Sequence, residues 1–145
     1  MTTEAQLQSA RQELTKLPLL GPALWLYARD PLRKFGFHAD IDWRLMPPLV
    51  LEQCKLYHKQ ELPWAFFTWA KVSDAIDQRM RTNAATIAPH EWQSGEHIWL
   101  IDAVMPFQMD EALLKEIVQA VGKGRPVNAW LPDEKGQLEL RLLTA

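Results

Sequence analysis

A single aspartate interrupts the most apolar segment of the sequence. Asp102 lies within His97–Met105, whose other residues are nearly all apolar. Burying an unpaired carboxylate in such a segment is costly, so Asp102 is expected to have a charged partner or a chemical role. One such role is to orient a histidine that acts as a general base near neutral pH, and to stabilise the charged form of its ring.

Three of the four histidines are poorly placed to be that base. His97 lies on the same predicted strand as Asp102 but five residues away, so in a regular strand the two side chains point to opposite faces. His58 falls at a predicted hairpin end and His90 in a predicted loop, where surface polar roles are the ordinary interpretation. The histidines and Cys54 also lack the paired ligand spacing of zinc sites, so no metal site is predicted.

The first third of the chain predicts helices separated by prolines. The predicted helices span residues 2–16, 21–30 and 40–45. Pro31 ends the second of them, because a proline biases the preceding residue away from helical geometry. Pro47 and Pro48 are expected to close the third. Residues 1–48 are therefore predicted to form a helical N-terminal part.

From residue 49 onward, strands and helices alternate. Segments rich in β-formers, or continuously apolar, predict strands over residues 49–58, 64–72, 97–105, 127–131 and 138–143. Ser73 and Asp110 are the predicted N-caps of two helices that run to residues 81 and 121. The order β-β-α-β-α-β-β predicts an α/β (α+β) fold with a mixed central sheet over residues 49–145.

The composition is that of one soluble globular domain covering residues 1–145. The 145 residues are 48% hydrophobic and 23% charged, with a formal net charge of −2. A nucleic-acid-binding protein would normally carry a basic excess. No segment approaches the roughly 20 apolar residues of a membrane helix. Because the N-terminus also lacks the apolar region of a signal peptide, a cytoplasmic location is predicted.

A series of short strings, in register along residues 20–143, carries a family resemblance. The strings are Leu20-Gly21 followed by Leu24-Trp25-Leu26, Asp30-Pro31-Leu32, Thr68-Trp69-Ala70, Trp92-x-Ser94-Gly95-Glu96, Trp99-x-Ile101-Asp102 and Pro106-Phe107. Together they resemble the RTX toxin-activating lysine acyltransferases of the hemolysin-activating type. The resemblance implies a variant of the GNAT acetyltransferase fold, which agrees with the predicted strand order.

The resemblance also implies an activity and two key positions. Members of the family transfer a fatty acyl group from acyl carrier protein to internal lysines of a protoxin. Their key residues are a histidine in a Ser-Pro-Leu-His string and the aspartate of a Trp-Phe-Ile-Asp string. That aspartate is Asp102 here, whereas Arg33 occupies the histidine position and Asp30 the serine position. Met80 stands where a tyrosine is usual, so the departures fall on polar functional positions.

Arg33 changes the chemistry that this site can perform. Acyl transfer to lysine needs a neutral amine, and free lysine titrates near ~10.4, so a base poised near neutral pH helps. Arg33 stays protonated and cannot be that base, but its guanidinium could neutralise Asp102. This interpretation predicts an Arg33–Asp102 contact within salt-bridge distance. His38 is the candidate substitute base if the chain turns after Arg33, and the candidate catalytic residues are therefore Asp102, Arg33 and His38.

The sequence favours a carrier protein over coenzyme A as acyl donor, and no bound cofactor is predicted. A coenzyme A site of the GNAT type presents glycine-rich backbone amides before a helix. Pro106–Asp110 has no glycine, and Gly122-Lys123-Gly124 follows a helix and predicts a C-cap. An acidic carrier protein would need exposed basic residues, although ordinary solvated charge is the alternative for each of them. The candidates are Arg29, Arg33, Lys34, Arg79 and Arg81.

Two functions therefore remain open. The first is a protein-lysine acyltransferase of the toxin-activating type, with acyl carrier protein and a protoxin or other protein as partners. The second is a non-catalytic relative that keeps the fold to bind an acyl carrier or another protein. Either could act as a homodimer. Arg33 is the position that distinguishes the two functions. Restoring a histidine there should raise activity only if the rest of the catalytic site survives.

Overall fold

Five strands, in the same order in space as in the chain, form a single sheet. The structure is a computed structural model that describes residues 3–36, 38–82 and 86–144, with only the backbone of Glu13 and His38. The strands are β1 (Cys54–Lys59), β2 (Leu62–Val72), β3 (His97–Val104), β4 (Val127–Pro132) and β5 (Leu138–Leu143). Neighbouring strands are antiparallel except β3 and β4, which are parallel. The predicted mixed sheet is confirmed, and it is consistent with a GNAT-like fold.

Three helices precede the sheet, two connect its strands, and together they cover both of its faces. They are α1 (Glu4–Thr15), α2 (Leu17–Tyr27), α3 (Met46–Val50), α4 (Asp74–Thr82) and α5 (Glu111–Gly122). A 3-10 turn, His38–Asp40, and a π-helical turn, Ile41–Leu45, lead into α3. From β1 onward the order β-β-α-β-α-β-β is as predicted. None of the described helices is long and apolar enough to cross a membrane.

The central strand β3 is covered on both sides, as its continuous apolar character predicts. Ile98 and Leu100 pack in a cluster with residues of α5. Trp99 packs on the opposite face in a cluster with residues of α4, and Val104 packs against α2. Asp102, on the same strand, is fully buried.

Two caps of α5 follow the sequence signals. The Asp110 carboxylate accepts a hydrogen bond from the Leu113 amide at 3.0 Å, which satisfies one of the free N–H groups of the first turn. At the other end Lys123 takes the left-handed conformation and Gly124 follows with a φ of 93°. The Gly122-Lys123-Gly124 string is thus a C-cap, as predicted.

The prediction of a strand over residues 49–58 is wrong at its beginning, because prolines start helices here. Pro47 and Pro48 lie in the first turn of α3, where the missing N–H groups would have no intrahelical acceptor. The helix therefore continues to Val50, and β1 begins only at Cys54. Pro18 likewise lies in the first turn of α2, so that helix spans residues 17–27 instead of the predicted 21–30.

Gly95 provides a test of how closely the β2–α4 junction is packed. A Cβ at position 95 would clash with the carbonyl oxygen of Val72 and lie 2.6 Å from the backbone nitrogen of Ser73. Because backbone atoms cannot move aside as a side chain can, Gly95→Ala should lower the free energy of unfolding by about 1–3 kcal/mol in urea titrations. Gly21→Ala is the control, since nothing lies within 4 Å of that position. Because Gly21 lies within α2, Gly21→Ala should raise the free energy of unfolding by about 0.5–1 kcal/mol. Equal midpoints for Gly95→Ala and the parent would contradict the packing.

Candidate active site

A β-bulge in β3 turns Asp102 toward the N-terminal helices. Thr68 pairs with Asp102 and Trp69 with Leu100, which leaves Ile101 as an extra residue on β3. Because side chains alternate between the two faces of a sheet, the extra residue shifts the alternation. Asp102 therefore lies on the same face as Trp99. Its backbone N–H donates to Thr68 Oγ1 at 3.1 Å.

The Asp102 carboxylate accepts four hydrogen bonds from three side chains. Tyr27 Oη donates to Oδ2 at 2.6 Å, and Arg33 Nε donates to Oδ1 at 2.8 Å. Arg44 binds both oxygens, with Nε 2.9 Å from Oδ2 and Nη2 2.7 Å from Oδ1. A carboxylate has about four acceptor positions. The described side chains therefore already occupy the acceptor capacity of Asp102.

These contacts keep Asp102 ionised despite its burial. Burial alone would raise the pKa of Asp102, but attraction to Arg33 and hydrogen bonds from Arg44 and Tyr27 hold it well below its usual range. Burial and the neighbouring Asp102 charge raise the pKa of Tyr27, so its hydroxyl remains a donor. The pKa of Arg44 is also raised, through its hydrogen bonds and attraction to Asp102, which outweigh the effect of burial. At neutral pH the site contains a carboxylate and two cations, and Asp102 is not a proton acceptor there.

Arg33 links Asp102 to a second carboxylate. Arg33 Nη1 donates to Asp30 Oδ2 at 2.9 Å, while Asp30 Oδ1 accepts the Leu32 amide at 2.8 Å. The Arg33 side chain is only 13% exposed. The predicted Arg33–Asp102 contact is confirmed. Asp30 thus supplies Arg33 with a second anionic partner.

Sequence reasoning missed two of the three side chains that bind Asp102. In the sequence Tyr27 ends the apolar run Leu24–Tyr27, and Arg44 lies in the segment 40–45, which is predicted as a helix. Arg44 is separated from Asp102 by 58 positions and Tyr27 by 75, so only the tertiary fold brings them together. One sequence feature could have indicated Arg44, because it is a charged residue between Trp43 and Leu45 in a largely apolar stretch.

The histidines take other places in the structure. The backbone of His38 begins the 3-10 turn before Arg44, but its side chain is outside the described residues, so its role as substitute base stays a prediction. His97 lies on the same face as Asp102, so the predicted opposite orientation is wrong, and the bulge at Ile101 is the reason. His97 Nε2 contacts Asp74 Oδ1 at 2.5 Å instead.

Two cavities meet at the arginines. The first, of about 390 Å³, lies between α2 and residues 32–36 and 40–45, and Tyr27, Arg33 and Arg44 line it. The second cavity, of about 290 Å³, shares one wall with the first, formed by Leu32, Arg33 and Arg44. Its remaining lining is mainly apolar and includes Trp43, Trp92, Trp99, Trp130, Ile101 and Leu138. We call it the tryptophan cavity. Trp99 thus both packs in the core and lines a cavity.

The second predicted basic cluster is bound within the chain. Arg79 pairs with Glu91 at 2.8 Å, and Arg81 pairs with Asp77 at 2.9 Å. Arg81 Nη2 also donates to the side-chain oxygen of Asn128 at 3.1 Å. These arginines secure α4 to its surroundings. Across residues 3–36, 38–82 and 86–144, no group of three or more histidine, cysteine, aspartate or glutamate side chains could hold a metal ion.

The mixed sheet and the helices that cover it are consistent with a GNAT-like fold. A model of the RTX toxin acyltransferase family matches residues 12–145. The chain therefore belongs to the RTX toxin acyltransferase family, as the sequence strings predict.

Curated relatives carry names that agree with this family. A leukotoxin-activating lysine-acyltransferase of Pasteurella haemolytica-like sp. (strain 5943B) is 27% identical over 117 residues, which cover 81% of this chain and 71% of the relative. A protein-lysine myristoyltransferase of Escherichia coli is 27% identical over 99 residues, or 68% of this chain and 58% of the relative. An RTX-III toxin-activating lysine-acyltransferase of Actinobacillus pleuropneumoniae is 29% identical over 96 residues, or 66% and 56%. The chain thus spans 56–71% of the length of these relatives.

The buried ion cluster predicts a specific dependence of stability on pH. The folded-state pKa of Asp102 lies below the unfolded value of about 3.9, so on acidification the unfolded chain takes up this proton first. The stabilisation is complete above about pH 5 and is lost progressively as the pH falls toward the folded pKa. Asp102→Asn leaves two guanidinium groups without their shared counter-ion, which should cost about 3–5 kcal/mol at pH 7.

Urea unfolding at a series of pH values measures this dependence. The difference between the parent and Asp102→Asn should be largest above about pH 5 and should shrink below it. Asp74→Asn is the matched control, because the Asp74 side chain is 97% exposed, and it should change stability by less than about 1 kcal/mol. A difference between the parent and Asp102→Asn that stays constant down to acid pH would contradict a depressed pKa at Asp102.

Proposed function

We propose that this chain is a cytoplasmic protein-lysine acyltransferase of the toxin-activating type. It takes a fatty acyl group from acyl carrier protein and transfers it to a lysine ε-amino group of a protoxin or similar protein. The observation that carries the proposal is the tryptophan cavity beside Arg33 and Arg44, the two cations fixed by Asp102. Membership of the family and the names of the relatives support the same reaction.

The tryptophan cavity has the chemistry of an acyl-chain site. Four indole rings and several aliphatic side chains line it, and its cationic wall is formed by Arg33 and Arg44. Transfer of a hydrocarbon chain from water into such a site gains about 0.8 kcal/mol per methylene. A ligand with an apolar tail and a polar carbonyl head matches this arrangement, with the head at the arginines. The volume of about 290 Å³ is near the lower end of small-ligand sites, which start at roughly 300 Å³.

The arginines can stabilise charge on the reacting carbonyl. The lysine nitrogen attacks the thioester carbon, the carbonyl oxygen becomes an oxyanion, and the carbon–sulfur bond then breaks to give the amide and the carrier thiolate. Each guanidinium has five N–H donors. Arg33 donates one hydrogen bond to Asp102 and one to Asp30, and Arg44 donates two to Asp102. In this proposal other N–H donors of Arg33 and Arg44 bind the oxyanion. The proton lost by the amine ends on the departing thiolate.

In this mechanism Asp102 positions other residues and does not take up a proton. It holds both guanidinium groups at the boundary of the two cavities. Its own acceptor positions are filled, and its lowered pKa makes it a poor base. His38 stays the candidate that would relay the proton. In this proposal the family aspartate keeps its place while its partner changes from a base to a cation.

The basic residues at the first cavity fit an acidic carrier protein. Lys34 lines this cavity and is exposed, and Arg29, one turn earlier, is exposed over the ring of Trp25 at 3.8 Å. Complementary charge mainly accelerates encounter and selects partners, and its effect falls with salt. These two cations are therefore the proposed recognition residues for the donor.

One observation favours the second candidate function, a non-catalytic binding module. Arg33 cannot accept a proton, and the described neighbours of Asp102 are a tyrosine and two arginines. A protein with this site could still hold an acyl chain in the tryptophan cavity. Such a protein would bind an acylated carrier without transferring its acyl group.

Mass spectrometry of a candidate protoxin, incubated with acylated carrier protein and this chain, separates the two functions. We expect a mass increase of one acyl group per modified lysine. Arg33→Met should lower the rate at least about tenfold, because it removes oxyanion donors and leaves Asp30 and Asp102 without their shared cation. Arg79→Met, which removes a surface arginine paired with Glu91, should retain the parent rate. Retained binding of the acylated carrier without a mass increase would instead favour the binding module.

The acyl-chain site predicts a dependence on chain length. Ile101 lines the tryptophan cavity, so Ile101→Trp should shorten the chain that it accepts, whereas Ile101→Val should not. Excluding two methylene groups, at about 0.8 kcal/mol each, should lower kcat/KM for long acyl chains roughly tenfold. Short chains should react at the parent rate. Equal loss for short and long chains in Ile101→Trp would place the acyl chain elsewhere.

A further inference from the structure

The four indole rings that line the tryptophan cavity are all anchored through their ring nitrogens. Each Nε1 donates a hydrogen bond to an acceptor of this chain, at distances of 2.8–3.3 Å. The pairs are Trp43 with Asp40 Oδ1, Trp92 with the Trp43 carbonyl, Trp99 with Asp77 Oδ1, and Trp130 with the Met80 carbonyl. A buried indole N–H usually has such a partner. These bonds hold the rings in fixed orientations around the cavity.

The bond between Trp99 and Asp77 is buried at both ends. Trp99 has no exposed surface, and Asp77 is only 3% exposed. The distance from Trp99 Nε1 to Asp77 Oδ1 is 2.8 Å. Asp77 belongs to α4, so this helix reaches the wall of the cavity through a single carboxylate. Unlike the main-chain carbonyls that anchor Trp92 and Trp130, this acceptor can be removed by substitution.

The Asp77 carboxylate is itself fixed from its other side. Arg81 Nε, one helical turn later, donates to Oδ2 at 2.9 Å. Arg81 Nη2 donates to Asn128 Oδ1 on β4 at 3.1 Å, and Asn128 Nδ2 donates to the Ile98 carbonyl on β3 at 3.3 Å. The His97 ring nitrogen Nδ1 lies 3.9 Å from Asp77 Oδ1. The carboxylate is therefore tied to both central strands and cannot follow the Trp99 ring if that ring turns.

Trp99 lies where the far end of a bound acyl chain would lie. Trp99 and Asp102 share a face of β3 and are three positions apart, which is about 10 Å along a strand. Asp102 holds Arg33 and Arg44, where the proposed function places the carbonyl head of the acyl group. The chain then extends along the cavity toward Trp99. The orientation of this ring determines how much hydrocarbon the cavity accepts.

We propose that Asp77 is a positioning residue that sets the acyl-chain length of the tryptophan cavity by fixing the Trp99 ring. Asp77 does not contact the chain and acts only through the indole N–H. Leaving a buried donor unpaired is costly, so without Asp77 the ring turns toward another acceptor and the wall of the cavity moves. The inference rests on the acyl-chain site of the proposed function. It does not depend on acyl transfer, because a binding module would use the same cavity.

Two substitutions separate this role from the contribution of Asp77 to the fold. Asp77→Leu is similar in shape and removes the acceptor for both Trp99 and Arg81. Asp77→Asn keeps an oxygen for the Trp99 N–H and loses the attraction to Arg81, whose side chain is 38% exposed and can turn to solvent. Both variants are expected to lower stability, but only Asp77→Leu is expected to change chain-length selectivity.

Isothermal titration calorimetry with acyl carrier protein, loaded with a hexanoyl or a dodecanoyl chain, measures this selectivity as the ratio of the two association constants. The parent should bind the dodecanoyl form more tightly. Asp77→Leu should lower the ratio at least about fivefold by weakening the dodecanoyl form alone, because an unfixed ring narrows the far end of the cavity. Asp77→Asn should keep the parent ratio within about twofold. Asp74→Asn, which removes an exposed carboxylate of the same helix, is the control and should also keep it.

Trp99→Phe tests whether Asp77 acts through the indole N–H. This variant keeps the Asp77–Arg81 pair and lacks the donor, so it should lower the ratio even if Asp77→Leu fails to fold. Adding Asp77→Asn to Trp99→Phe should change the ratio no further.

The outcomes distinguish this inference from the proposed function. A parent that binds both loaded carriers equally would overturn the acyl-chain site and the inference with it. A parent that prefers the dodecanoyl form would retain the site. In that case an unchanged ratio in Asp77→Leu or in Trp99→Phe, or equal weakening of both forms in Asp77→Leu, would overturn the role of Asp77 alone.

Discussion

The carboxylate of Asp102 is the interaction on which the arrangement of the N-terminal layer depends. It is bound by Tyr27 from the end of α2, Arg33 from the following turn and Arg44 from the π-helical turn before α3. Three segments outside the sheet are thereby fixed to its central strand. A buried ion cluster adds little net stability over an apolar core, but losing one partner is costly. The cluster therefore specifies one position for these segments.

The same cluster separates the two cavities and gives both a cationic wall. This position explains how a family site can persist after its histidine position becomes Arg33. The aspartate still needs a positive partner, and a guanidinium bound to Asp30 and Asp102 meets that need permanently, whereas a histidine does so only when protonated. What changes is the ability to accept a proton, while the shape and charge of the boundary are kept.

The sheet could be predicted from the sequence because its signals are local. The apolar run of β3 and the Asp110 cap each depend on residues close in the chain. The prolines at 47 and 48 were assigned to the wrong end of a helix, since proline is compatible with a helix start as well as a stop. The Arg33–Asp102 contact was predicted only through the family resemblance. Tyr27 and Arg44 could not be found this way, because their proximity to Asp102 comes from the tertiary fold.

The bulge at Ile101 gives β3 two alternation patterns in place of one. Before it, even-numbered residues such as Ile98 and Leu100 face α5, and after it the even-numbered Asp102 and Val104 face the N-terminal helices. The pattern of odd- and even-numbered positions that tolerate substitution along β3 should therefore switch at this residue. A homologue that lost or gained one residue here would redistribute an entire half-strand between the two layers. Alignments of this strand should consequently treat a single-residue gap at position 101 as a structural event, not as noise.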